Sequence, residues 1–165
     1  MGTITRLTPN MPAATISEEE VSIPRLASIL EAAVIDFKID TDGDLYASDG
    51  LEFPAWIQVT KEQKLITFFT YFKPQVVEEQ DWLKWINDMN RTIVGVQFHW
   101  DEKGVVGGAH WMSYDGGINV RQFIKMLRRF AGAFRAGLNL DDDGAVAPTE
   151  VSPPGGNTGT PPSDQ

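Results

Sequence analysis

There is no cysteine among the 165 residues, which removes a disulfide framework, a thiolate zinc site, an iron–sulfur cluster and a cysteine nucleophile, and fits a reducing cytoplasm. Histidine occurs only twice, at His99 and His110. Basic residues are outnumbered, 14 Lys and Arg against 23 Asp and Glu, for a formal net charge of −9. A protein that tracks nucleic-acid phosphates needs a basic footprint to release counterions, so no nucleic acid is expected as partner. No apolar run approaches the roughly 20 residues of a membrane span, and the N-terminus shows no basic-then-apolar signal pattern. A soluble, unexported, cytoplasmic protein with no membrane partner is the expectation.

The ends of the chain have little to bury. Residues 139–165 hold five of the ten prolines, five acidic residues, no basic residue and no aromatic. Such a composition cannot offset its ordering entropy, so a disordered acidic Pro/Gly-rich tail is expected there. Residues 1–20, with Pro9, Pro12, single scattered aliphatics and Glu18–Glu20, read as a flexible N-terminal segment. Between them, residues 21–138 carry 15 acids and 13 bases, a nearly neutral folded body that contributes little to the low overall isoelectric point.

Inside the body the apolar period alternates between helix and strand. Leu26, Ile29, Leu30, Ala33 and Val34 share one face of a helix over about Ile23–Val34, with Ser22 as N-cap and Pro24 in the first turn. Phe37–Ile39 and Leu45–Ala47 flank Asp-Thr-Asp-Gly-Asp, which is hairpin grammar. Strands over Phe53–Val59 and Leu65–Phe72 extend it into a meander. A helix over Val77–Asn90 places Trp82, Trp85, Ile86 and Met89 within about 100° of arc. A second hairpin joins Ile93–Trp100 to Val105–Tyr114, and Asn119 can cap a last helix running to Ala136, with Gly137 as its stop. The class is α+β, an antiparallel sheet with helices in the order αβββαββα.

Few residue groups invite chemistry. Asp40, Asp42 and Asp44 resemble the start of a calcium loop, but an EF-hand needs Gly where Leu45 stands and a bidentate Glu where Leu51 stands. Turn chemistry is the better reading. His99 and His110 lie on one hairpin, and either plausible register separates them by three or four positions, roughly 10 to 13 Å at 3.3 Å per residue, too far for one ion. Neither has a Ser or Asp partner that would form a triad. The glycines spell no phosphate-binding fingerprint. No cofactor, no metal and no catalytic residue are expected. A small-ligand site or enzyme built on Asp40, Asp42, His99 or His110 stays as the alternative.

Two surfaces stand out instead. On the last helix Arg121, Lys125, Arg128, Arg129 and Arg135 fill an arc of about 120° beside the apolar one, uninterrupted by acid. Such a stripe is either a solvated face or the site of an acidic partner. Leu65–Phe72 is apolar on both faces, and Trp56 lies opposite Ala55, Ile57 and Val59, so something must cover each side of the sheet. Three helices can cover one; the other can meet a second copy or a client segment. Trp100, Trp111, Met112 and Tyr114 extend that candidate surface. The candidate partner-binding residues are Trp56, Phe69, Tyr71, Arg121, Lys125 and Arg128.

The acidic DTDGD turn, the FPAWIQV and LITFFTYF strands, the WLKWINDMNRT helix end, the FHWDEKGVV hairpin and the GGINVRQFIKML helix start, spread over about Pro24–Leu138, together resemble the YbjN family of bacterial proteins. The resemblance implies a fold similar to type III secretion chaperones, a homodimer, and a sensory transduction regulator with no assigned catalytic residue. On this reading the protein is not an enzyme: it is a regulatory or chaperone-like protein that captures a protein or peptide client.

Overall fold

The computed structural model describes residues 15–73 and 79–139. A six-stranded antiparallel sheet has the order β2-β3-β4-β5-β7-β6, formed by β2 (Phe37–Ile39), β3 (Leu45–Ala47), β4 (Ala55–Thr60), β5 (Leu65–Phe72), β6 (Gln97–Trp100) and β7 (Val106–Ser113). The helices are α1 (Ile23–Ala32), α2 (Glu79–Thr92) and α3 (Val120–Asn139), and a separate two-stranded pair joins β1 (Thr15–Ile16) to β8 (Ile118–Asn119). The α+β class and the three helices agree with the sequence reading. The meander, however, has four strands where αβββαββα allows three.

The β2–β3 and β6–β7 hairpins close by one device. Asp40 Oδ1 accepts the N–H groups of Asp42 and Asp44 at 3.0 Å each, and Asp101 Oδ1 accepts those of Lys103 and Val105 at 2.9 Å each. In each turn a Gly three residues after the Asp takes a positive φ, 87° at Gly43 and 73° at Gly104. The carboxylate of Asp40 is thus engaged by its own backbone, as turn chemistry requires.

Strand alternation then sorts the side chains. Leu45, Ile57, Phe68, Phe72 and Val106 share one face and are buried with the helices' apolar arcs. The longest helix crosses this face through Phe123, Phe130 and Phe134, with Phe68 5.7 Å from Phe123 and Phe98 stacked 5.4 Å from Phe134. Gly108 makes the approach possible, since a Cβ there would lie 2.5 Å from the Phe134 ring. Trp82 of α2 meets Phe72 at 5.8 Å and Trp100 at 6.0 Å. Asn90, on the same helix, exchanges hydrogen bonds with the backbone of Phe98 (3.0 and 2.8 Å), serving the edge strand β6 as a substitute neighbour.

Several boundaries depart from the sequence reading. The last helix passes through Gly137 and ends at Asn139, because Gly137 lies flat against Phe98 and serves packing rather than termination. Residues 15–20, assigned on composition to a flexible segment, are held: Ile16 pairs with Ile118 and is buried, and Glu18 bonds Lys64 Nζ at 3.0 Å and the Gly116 N–H at 3.0 Å. Partners distant in sequence supply the order that local composition does not. The expected tail at 140–165 and residues 1–14 lie outside the described residues.

Helix α1 ends at Ala32, two residues before the expected Val34, for a visible reason. The Ile35 N–H reaches the Leu30 carbonyl and the Val34 N–H reaches that of Glu31, both at 3.0 Å, a Schellman arrangement with Val34 in the left-handed position at φ 57°. Glycine is the usual occupant, and a β-branched residue holds this conformation at a cost. Val34 is also 82% exposed, so little packing compensates. Val34→Gly will therefore stabilise the fold by about 1 kcal/mol. In the opposite direction, Asn119→Ala removes the Oδ1 that accepts the Gln122 N–H at 3.0 Å and will cost about 1 kcal/mol. Urea titrations of both variants check the two signs.

Candidate functional site

The second sheet face carries no helix among the described residues. Side chains on it follow from the register: Tyr46 opposes Trp56, Trp56 opposes Phe69, and Tyr71 opposes Gly107, which in turn opposes His99. Their rings form a continuous row. Trp56 lies 4.6 Å from Tyr46, 4.9 Å from Tyr71 and 5.8 Å from Phe69, the last two stacked. The Lys38 ammonium sits 4.9 Å above the Tyr46 ring.

The predicted residues divide by depth. Trp56 is 1% exposed, so it floors the row and cannot itself be the contact. Phe69 and Tyr71 are half-buried, and Trp111 is 47% exposed on the same face. Of the other aromatics and Met expected here, Trp100 and Met112 point to the helix side and Tyr114 is buried. Tyr46 was missed by the sequence reading, although its place two residues after the DTDGD turn fixes its direction. Burial raises the phenol pKa of Tyr46 and of Tyr71 above 10, keeping both neutral hydrogen-bonding groups at physiological pH.

The acidic turn adjoins the row. Asp44 accepts a hydrogen bond from Gln58 Nε2 at 3.0 Å on this same face. Its carboxyl pKa is raised from 3.8 by burial and then by the nearby Asp40, only partly offset by Gln58. The face therefore offers aromatic area beside a concentration of negative charge.

The basic residues lie on the far side of the sheet. Arg121, Lys125 and Arg128 line a groove of about 330 Å³ between α1 and α3, floored by Ile29, Ala32, Ala33, Val120 and Ile124. Arg128 donates to the Ala33 carbonyl at 3.2 Å, where a cation meets the negative end of α1's dipole. The six predicted partner residues thus form two surfaces with the sheet and α3 between them.

The alternative set does not converge. His99 belongs to the open face, over Gly107, while His110 opposes Phe68 on the helix face. The register puts three positions and a change of face between them. His110 borders a smaller cavity of about 220 Å³ with Val94, Met126, Arg129 and Phe130. Among the described residues no group of three or more His, Asp or Glu is placed to hold a metal ion, and no helix is long and apolar enough to cross a membrane.

These features define an α+β domain whose helices cover one side of an antiparallel sheet and leave an aromatic side. Residues 22–139 match the family model described as "Putative bacterial sensory transduction regulator", and the chain belongs to that family, YbjN. The crystal structure of YbjN from E. coli, termed there "a putative transcription regulator", is similar at 16% identity, covering 78% of this chain and 97% of that one, with a TM-score of 0.65. A chain of the HopA1–SchA chaperone–effector complex is similar at 12% identity over 67% of this chain and 84% of that one, with a TM-score of 0.47. No curated protein matches the chain in sequence.

Burial holds the His110 pKa below its ordinary 6.5, with Arg129 adding to the decrease and the Gly95 carbonyl opposing it. The unfolded state then binds the proton more readily than the folded state. Stability is full above about pH 6.5 and falls as the pH drops through the depressed folded value. Melting temperature will fall between pH 7.5 and 5.5, and His110→Gln will flatten that part of the profile; calorimetry at stepped pH measures it.

Proposed function

We propose that this protein is a non-catalytic cytoplasmic adaptor that acts by binding a protein segment on the aromatic face of its sheet. The row Tyr46, Trp56, Phe69 and Tyr71, with Trp111 beside it, carries the reading, because no described helix covers a face of this composition. Aromatic side chains supply large contact area at small entropic cost and are favoured at interface centres. The dispersal of His99, His110 and Asp40 over three locations supports binding over catalysis. Asp40 and Asp44 at the border favour a segment that places a Lys or Arg next to its apolar anchors. The same face accommodates a second copy, so client and homodimer compete for it.

Affinity recovery from the native host with the full chain as bait tests this. Phe69→Ser and Trp111→Ser will each weaken recovery of the wild-type partner by at least about tenfold, with melting little changed for Trp111→Ser. Trp56→Ala will instead cost about 3 to 5 kcal/mol of stability, as large buried aromatics do. Partner recovery unaffected by both Ser variants refutes the assignment. Light scattering over a concentration series reports whether self-association is lost in parallel.

A further inference from the structure

We propose that the groove between α1 and α3 is a binding site for an amphipathic carboxylate, a linear acyl chain with one anionic head. The floor and the rim carry complementary chemistry. Ile29, Ala32, Ala33, Val120 and Ile124 provide an apolar bed, and the two alanines leave the depth. Arg121, Lys125 and Arg128 stand along one edge. Among the described residues none of these three makes an ion pair, although the chain carries a net charge of −9.

Position on α3 sharpens the charge argument. Arg121 is the second residue of the helix, after Val120 and the Asn119 cap, so its guanidinium shares the helix end where the dipole is positive. With Arg128 tied to the Ala33 carbonyl, Arg121 and Lys125 are the cations open to a head group, a match for a single carboxylate. From Arg121 to Arg128 the helix advances about 11 Å, the reach of a chain of about eight to ten carbons. The volume, about 330 Å³, lies at the low end for small-ligand sites.

This groove lies across the sheet from the aromatic face, so the two sites are separable by mutation.

The experiment is isothermal titration of the full chain with hexanoate, octanoate and decanoate below their micellar concentrations, alongside decanol and decyltrimethylammonium. Decanoate will bind at one equivalent, affinity will rise about two- to fourfold per methylene up to decanoate, and decanol and the ammonium compound will bind at least tenfold more weakly. The double reversal Arg121→Glu with Lys125→Glu and the groove-filling Ala32→Phe, both at exposed positions, will each abolish binding while melting stays near wild type. Phe69→Ser will leave it unchanged. Absence of saturable decanoate binding, equal binding of decanol, or binding that survives both groove variants overturns the proposal. So does binding of a soluble Glu- and Leu-rich peptide in place of decanoate, which would assign the groove to a protein segment.

Discussion

Strand β5 is apolar on both sides, and every other feature of the molecule follows from how those two sides are met. Ile66, Phe68 and Phe72 face the helices and vanish into a core that includes Phe123, Phe130, Trp82 and Phe134. Phe69 and Tyr71 face the other way and meet only the rings of their own sheet among the described aromatic contacts. A sheet with one solvated face normally alternates apolar and polar. Here the alternation is between two largely apolar sets, and no described helix covers the second.

Helix α3 sets the polarity of the whole unit. Its aromatic arc reaches the sheet only because Gly108 omits a side chain under Phe134 and Gly137 does the same beside Phe98. With that arc fixed, Arg121, Lys125 and Arg128 must face outward along α1, where Arg128 also closes the α1 terminus through Ala33. The open aromatic face and the basic-rimmed groove are therefore consequences of one helix orientation, on opposite sides of the same sheet. The Lys64 ammonium, bonded to Glu18 and Asp115 at 3.0 and 2.9 Å, ties the β1 segment to two sheet turns, and those carboxylates raise its pKa further above the lysine range.

Much of this was legible locally. The period change at Phe37, the D-x-x-G turns, the N-cap at Asn119 and the two-sided β5 are statements about neighbours in sequence, and each has its counterpart in the structure. What stayed hidden depends on distant partners. Composition made Ile16 look unsupported, yet Ile118 pairs with it. Gly137 reads as a helix stop until Phe98 is seen packed on it. Trp56 reads as a contact residue, and only the packing of Tyr46, Phe69 and Tyr71 around it reveals a floor. The basic stripe was evident, but of its apolar counterpart on α1, Ile29 and Ala33 read only as part of the helix's buried face and Ala32 did not stand out.

The central claim is that the aromatic face is occupied by another polypeptide when the protein works. Replacing Phe69 with a photoreactive benzoylphenylalanine in the native host, with Glu62 in the exposed β4–β5 turn as the control position, tests it directly. On this account irradiation yields an adduct to a client or a second copy from position 69 and none from position 62. No adduct at 69, or the same adduct from both positions, contradicts it.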